Sequence, residues 1–562
     1  MFNHSIFKIV DQKAIVSLAA LLSFLALYAF RSADDNRLFS WQWVFARVDP
    51  FTIALLVVAG IVAAYVLSNV TLPERNPRAF LFLFSYLAAA ALWTEPELFM
   101  DASRYFTQAK HLEVYGIGHF IREWGRDITA WTDLPAVPFL YGLIFRIFGE
   151  HRVLIQAFVT LLFSMTLVLT YLIGKTLWDE DTGFAAGMLL LGMPLLLMQV
   201  PLMLVDVPTM FFLALSIFTF LKALDGGGVC WTACASLAIL LAAFSKYSAW
   251  MMLTVLPVIV MVYQQKAKGT AIRRALAVAL LSGGLIGAVA VLKFGVFAEQ
   301  AGLLMSYQQP GLGRWGESFF STFFFHIHPF ITLAAAASLV IAVRRRDRNY
   351  AVICWLVLLV LLFGIRRSRY ILPALPLLAL MASYGLQRIE QKDVRRFVVF
   401  LTVIISLGTA VFAYLPFARR TSAMNLQDAG AYLNSRGVEA VEVFTPPLRD
   451  PVVNPSVAVP ILDLFTNGSM RYQYEAGRFP PPEDIKTSAL RFTWEFKDPA
   501  YYSTDPVPMQ RTAIVVISGE PTRTVPPDVA QRIRGFSVFR RFETPWDPFR
   551  YKTIVDVYSR QQ

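Results

Sequence analysis

The sequence predicts a mainly α-helical fold: a polytopic transmembrane helical bundle of about 13–15 membrane segments with a C-terminal extracytoplasmic α/β domain. Three observations carry this expectation. Of 562 residues, 56% are hydrophobic and only 16% charged, where a soluble chain carries about a quarter charged. The mean hydropathy is accordingly positive, +0.53. Apolar runs, most of them about 17–25 residues long, recur until Leu415, after which the composition turns polar and Pro-rich.

In chain order the apolar runs lie at 14–30, 51–70, 79–95, 136–149, 153–174, 183–204, 206–222, 230–245, 247–263, 275–295, 319–343, 350–365, 370–386 and 397–415. The first is followed by Arg-Ser-Ala-Asp-Asp instead of a small-residue cleavage site, so it reads as a signal anchor. Residues 1–416 form the expected membrane domain, with an external loop at 101–135. The stretch "HFIREWGRDITAW" in that loop mixes Trp, Arg and Ile as helices lying at the interface do. Residues 417–562 form the expected soluble domain. Strand-like alternation at 438–444 and 552–558, an apolar run at 513–517 and helix-like stretches at 425–435 and 527–534 make it α/β. No repeat of fixed period and no long low-complexity tract is visible.

The net charge is +12, but the basic residues fall in short clusters between apolar runs. That pattern marks topology. Nucleic-acid binding is excluded because no basic patch interleaves with aromatics in a polar domain. The abundant Phe (46) and Trp (12) suit interfacial belts and tight helix packing. Cys230, Cys234 and Cys354 lie inside apolar runs with no His or carboxylate beside them, and are expected as small buried hydrophobes. The C-terminal region has no cysteine and folds without disulfides.

Sidedness is argued from both ends. Lys8 and Lys13 and the loop "PERNPR" (73–78) belong inside, which puts Asp101 outside. From the other end, "QQKAKGTAIRR" (264–274), "RRRDR" (344–348) and "QRIEQKDVRR" (387–396) belong inside. The C-terminal domain, Asp206, Lys246 and "RRSR" (366–369) are then outside. Three apolar runs separate Asp101 from Asp206, and an odd number of crossings would put them on opposite sides. Either the short 136–149 run, which carries Arg146, fails to cross, or 183–204 is broken at Gly192-Met193-Pro194.

The candidate chemistry lies in charges that the membrane makes expensive. Asp101 lies in a stretch, "ELFMDASRYFTQAK" (97–110), in which a helix sets Arg104 on nearly the same face. Alone, that is an interfacial ion pair, and Tyr105 is a belt aromatic. Asp206, in "PLMLVDVPTMFF", is flanked by apolar residues on both sides, and an ionisable group near membrane depth is a functional candidate by default. Pro208 leaves helix capping by Asp206 as the alternative. Lys246, in "AAFSKYSAW", is a further such charge, or a snorkelling lysine. "IRRSRYILPALP" (365–376) sets arginines where the positive-inside rule would not, which suggests an anionic partner such as a phosphate. Arg366, Arg369 and Tyr370 of this stretch join Arg104, Tyr105 and Lys246 as candidate substrate-binding residues. A carboxylate takes a proton from an acceptor hydroxyl as general base, and cations stabilise a leaving phosphate. Asp101 and Asp206 are the catalytic candidates. His326 and His328, in "FFFHIHPF", lack a third metal ligand nearby and read as interfacial polar groups. No metal site and no required cofactor follows from the sequence, and the sequon "NGS" (467–469) carries no weight.

Four segments, "MDASRY" (100–105), "DLPAVPFLYGLIFRIFGEHR" (133–152), "MLVDVPTMFFLAL" (203–215) with "FSKYSAW" (244–250), and "RYILPALPLLAL" (369–380), together resemble the GT-C class of polytopic glycosyltransferases. Within it the chain is similar to the branch of the lipid A aminoarabinose transferase and the protein O-mannosyltransferases, over roughly 79–390. The resemblance implies an inverting transferase on the extracytoplasmic face of the plasma or inner membrane, and Lys8 and Lys13 make the N-terminus cytoplasmic. It would use a polyprenyl-phosphate-linked sugar and a lipid, glycan or protein acceptor. It implies Asp101 as general base, Asp206 as an orienting acid, Arg104 near the lipid phosphate, and Lys246 and Arg369 as recurring basic positions. The chain departs from the family at Ala102, where a second acid is common, and at Asp133-Leu134-Pro135-Ala136, where a lysine precedes paired prolines. Arg126 or Arg366 would then replace that phosphate contact. A flippase of lipid-linked sugars is the competing expectation, since buried charges also mark transport paths. Against it stand the lack of an internal half-repeat and the sizeable external domain.

Overall fold

The computed structural model describes residues 2–70, 76–97, 99–265, 269–308, 316–421, 423–446, 453–472, 491–494, 499–502, 511–519, 527–544 and 552–560. Residues 73–75 of "PERNPR" and 266–268 of "QQKAKGTAIRR" lie outside them, so those parts of the basic loops are not placed.

Among the described residues, eight helices are long and apolar enough to cross a membrane. They are fewer than the 13–15 segments expected, because several apolar runs form shorter helices: Pro77–Ala90, Ala136–Phe148, Val229–Ala243 and Tyr350–Leu362. The bundle has a clear inside. Ser368–Leu386 and Asp206–Asp225 are 94% and 83% buried, and they form its centre, while Thr270–Leu292, at 11%, lies on the periphery. The protein is an integral membrane protein.

The structure shows both features invoked for the odd crossing between Asp101 and Asp206, a short 136–149 helix and a broken 183–204 run, and only one of the two runs can fail to cross if both acids lie at one end of the bundle. Ala136–Phe148 has 13 residues, about 20 Å at 1.5 Å per residue, too short for a hydrocarbon core of about 30 Å. The 183–204 run is broken. Its helix ends at Leu191, Met193 is extended, and a new turn starts at Pro194. Proline has no N–H to continue the ladder and pushes its predecessor out of the helical region.

Close helix approach rests on small residues, as membrane packing requires. A Cβ on Gly385 would meet the Ala334 backbone oxygen at 2.2 Å, and one on Gly183 would meet the Tyr171 oxygen at 2.3 Å. These positions let Leu375–Leu386 pack on Pro329–Arg345 and Glu180–Leu191 pack on Arg152–Leu177.

Two expectations are corrected. Cys230 and Cys234 are exposed and Cys354 half-buried, instead of buried. The inner face of Val229–Ala243 is taken by Ala235, Ser236, Ile239 and Ala242, and apolar residues on the outer face need no protein cover in lipid. His326 and His328 are buried, not interfacial. His326 Nε2 lies 3.0 Å from the buried Asp34 carboxylate, and Ser321 donates to the same oxygen. This cluster ties the segment after the first helix to residues 321–328.

After Ala423–Ser435 comes a five-stranded mixed sheet of order β2-β1-β3-β5-β4. The strands are β1 (Ala440–Phe444), β2 (Ser469–Tyr472), β3 (Thr512–Ser518), β4 (Val538–Phe542) and β5 (Ile554–Ser559). β1 pairs in parallel with β2 and β3, while β5 runs antiparallel to both β3 and β4. β3 is central, and its run Ala513–Ile517 is fully buried, which accounts for the apolar stretch read at 513–517. The sheet region meets the bundle through Lys110. Its ammonium lies 2.6 Å from buried Asp463 and 3.0 Å from Glu150.

Candidate active site

The helix Phe99–Tyr115 begins just before Asp101, so the acid and Arg104 share its first turns. Arg104 Nη2 lies 3.5 Å from Asp101 Oδ1 and 3.1 Å from Asp133 Oδ1. Its better partner is therefore the acid of the following loop. That loop is held in place. Gln108 donates to Asp133 Oδ2 at 3.2 Å, and Gln300 donates to the Asp133 backbone oxygen at 2.8 Å. Tyr247 in turn donates to Gln300 at 2.5 Å.

Asp206 stands in the first turn of Asp206–Asp225, but the residue before the helix is Val205 and the carboxylate does not cap it. It accepts instead from Lys246 Nζ at 2.5 Å and from Arg369 Nη2 at 2.8 Å. Arg369 Nη1 reaches Asp101 Oδ2 at 2.5 Å. Six side chains thus form one chain of alternating sign: Asp133, Arg104, Asp101, Arg369, Asp206, Lys246. The chain joins the loop helix to three helix starts, and it places Asp101 and Asp206 at the same end of the bundle.

Access differs along it. The Asp206 side chain is 0% exposed and Asp101 23%. Asp101 is therefore the more exposed of the two carboxylates, while Asp206 is enclosed by the two cations it fixes. Lys246 Nζ sits 4.6 Å above the Tyr370 ring, and Arg367 lies 5.2 Å from the same ring and donates to the Tyr370 hydroxyl at 3.3 Å. Tyr105 is buried beneath Arg104, 5.7 Å from the guanidinium carbon. Arg366 is exposed. Arg369 Nε is buried and has no acceptor among the described residues, a donor left over from the two carboxylates.

The two acids outside the membrane-spanning helices are pushed apart. Burial alone would raise Asp101, but Arg369, Arg104 and Arg367 outweigh it and hold the carboxyl well below its ordinary value. At Asp133 burial wins over Arg104, with Asp101 adding to it, and the carboxyl is raised. Separation of this kind is how paired carboxylates divide roles.

The structure therefore brings together Asp101, Arg104, Tyr105, Asp206, Lys246, Arg369 and Tyr370, and leaves Arg366 at the margin. The sequence reading missed Asp133, Gln108 and Arg367. Asp133 was visible only as a missing lysine, although it supplies a second acid near Asp101 that Ala102 does not. Among the described residues, no group of three or more His, Cys, Asp or Glu side chains is arranged to hold a metal ion.

Residues 133–293 match the sequence model of a family described as dolichyl-phosphate-mannose-protein mannosyltransferase. This segment contains Asp133, Asp206 and Lys246. No curated protein matches the chain by sequence. Among solved structures, ArnT from Cupriavidus metallidurans bound to undecaprenyl phosphate is similar at TM-score 0.52 and 12% identity, covering 86% of this chain and 98% of that one. The apo state of the same protein matches at TM-score 0.52 and 12% identity, covering 85% and 97%. The archaeal oligosaccharyltransferase AglB from Archaeoglobus fulgidus, in complex with an inhibitory peptide and a dolichol-phosphate, gives TM-score 0.46 and 12% identity over 86% and 74%. The chain is a polytopic membrane protein that shares the fold of ArnT, and its residues 133–293 are PMT-like in sequence.

Proposed function

We propose that this protein is an inverting glycosyltransferase that moves a sugar from a polyprenyl-phosphate donor to a hydroxyl of a lipid, glycan or protein acceptor. The observation that carries the reading is the shared guanidinium of Arg369, which sets an accessible carboxylate beside a buried one and beside Lys246. The likeness in fold to a protein bound to undecaprenyl phosphate supports the donor class.

In the proposed reaction the acceptor oxygen attacks the anomeric carbon and the bond to the phosphate oxygen breaks. Asp101 takes the hydroxyl proton, and the lipid phosphate leaves with the bonding pair. Arg369, Lys246 and Arg367 are the cations placed to meet that charge. A carboxylate held as low as Asp101 is a poor base, and a donor phosphate that draws Arg369 away from Asp101 raises its basicity as it binds. Asp206 is then a positioning residue, holding Arg369 and Lys246 in place. By the positive-inside argument the site and residues 417–562 are extracytoplasmic and residues 1–416 form the membrane domain, and by the family resemblance the membrane is the plasma or inner membrane.

The test is transfer of labelled sugar from a synthetic polyprenyl-phosphate donor by the protein in liposomes. Wild type is expected to yield a glycosidic product, and Asp101→Asn about 10²–10⁴-fold less. Lipid translocation without product would replace this reading by a flippase.

A further inference from the structure

A second charged cluster sits at the other end of the helix that carries Arg369. Ser368–Leu386 has 19 residues, about 28 Å at 1.5 Å per residue, so its far end lies about one hydrocarbon thickness from the acid–base chain. There a cavity of about 400 Å³ opens beside Leu386. Its wall is apolar, made by Phe184, Met188 and Phe400, and its rim carries Lys392, Arg395 and Arg396.

These cations are poorly neutralised. Asp181 lies 3.4 Å from Lys392 and 3.9 Å from Arg395, and both Asp181 and Lys392 are largely exposed. Such pairs are worth little. Glu180, also at the cavity, is engaged by Lys175. Arg395 is only 18% exposed and is held by Gln387 through Nη1. Arg396 is half-buried at the cavity, and no hydrogen bond or ion pair to it is found among the described residues. Three cations therefore face one shared carboxylate at the mouth of an apolar slot between membrane helices.

We propose that this cavity binds an anionic phospholipid. Arg395 and Arg396 hold the headgroup phosphate, and an acyl chain lies along Phe184, Met188 and Phe400. Guanidinium forks match phosphate oxygens, and basic pockets between membrane helices take anionic headgroups. The apolar wall selects the lipid over free phosphate, which has nothing to place there. The site lies at the opposite end of the bundle from Asp101, so the inference stands apart from the transferase reading.

The experiment is native mass spectrometry of the full chain in a neutral detergent. It is titrated with phosphatidylglycerol, with phosphatidylcholine of the same acyl chains, and with inorganic phosphate. Wild type is expected to retain phosphatidylglycerol preferentially, with affinity falling about fivefold for each arginine neutralised in Arg395→Gln and Arg396→Gln. Arg396→Lys is expected to recover part of the loss, and Ala185→Phe, which fills the slot and keeps every charge, is expected to weaken the lipid too. The melting temperature of each variant shows that it is folded. Equal retention of both lipids, or unchanged retention in the folded double glutamine variant, overturns the proposal. Inorganic phosphate that competes as well as the lipid overturns the lipid assignment.

Discussion

Asp101 and Asp206 share the guanidinium of Arg369, one carboxylate on each terminal nitrogen, at 2.5 and 2.8 Å. The three residues come from separate helices, so this one side chain fixes their relative positions. Its loss leaves Asp206, at 0% exposure, with Lys246 alone. Breaking a buried pair from one side costs about 3–5 kcal/mol. Arg369→Gln is expected to lower the melting temperature in detergent sharply and to abolish transfer. Arg369→Lys keeps the charge but cannot bridge both acids, and is expected to retain fold with little activity. An Arg369→Gln protein that melts like wild type would show that the bridge does not hold the bundle.

Asp101 and Asp206 are expected to respond differently to the same change. Asp101→Asn removes the proposed proton acceptor at a partly exposed position, so kcat is expected to fall by a factor of about 10²–10⁴ with the fold intact. It also removes a competitor for Arg369, so donor affinity is expected to hold or tighten. Asp206→Asn leaves Arg369 and Lys246 without their common anchor, and is expected to weaken donor binding and stability together. Steady-state kinetics with paired melting curves separates the two outcomes.

Asp133 gives a pH signature. Its carboxyl is raised by burial in spite of Arg104, while Asp101 is held low by Arg369 and Arg104. As pH falls, Asp133 takes its proton first. Arg104 then turns its charge to Asp101 and weakens it further as a base. The acid limb of kcat/KM is therefore expected above the ordinary aspartate value in wild type, and is expected to move to lower pH in Asp133→Asn. An acid limb that stays in place assigns it to another group.

Much of this site was legible because the membrane makes charge conspicuous. Asp206, Lys246 and Arg369 stand in apolar surroundings, and only a partner offsets the cost of burying them. Asp133 was not legible, because it lies in a short loop between helices and its partner Arg104, 29 residues away, is set by the fold. The break at Gly192-Met193-Pro194 could be read, since proline acts locally. The exposure of Cys230 and Cys234 could not, because lipid and protein interior are equally apolar and hydropathy does not tell the two faces apart. His326 was misread for a related reason: its partner Asp34 lies 292 residues away.

Gly385 tests how tightly the Arg369 helix is seated. A Cβ there would stand 2.2 Å from the Ala334 backbone oxygen and 3.3 Å from Ser338 Cβ. The nearest atom is helix backbone, which does not swing away as a side-chain tip would. Gly385→Ala is expected to destabilise the protein by about 1–3 kcal/mol through forced separation of the two helices. Donor affinity is expected to fall less than stability, because Arg369 is at the helix's other end. A melting temperature equal to wild type would show that the two helices yield without cost.

His111 links the loop helix to the C-terminal part and makes that contact acid-sensitive. Its ring packs 5.1 Å from Tyr501, 5.8 Å from Tyr115 and 6.1 Å from His119. Burial, then the neighbouring His119, push its pKa down to about 4, with Asp127 opposing. The unfolded chain takes the proton near pH 6.5, and the folded chain resists until about pH 4. Stability is therefore unaffected above pH 6.5, falls as pH drops through that window, and levels off below it. The integrated loss is about 3 kcal/mol at most. His111→Phe keeps an aromatic ring in place and cannot titrate. Melting temperatures between pH 7.5 and 4 are expected to fall less steeply for this variant than for wild type. Parallel curves would place the acid sensitivity elsewhere.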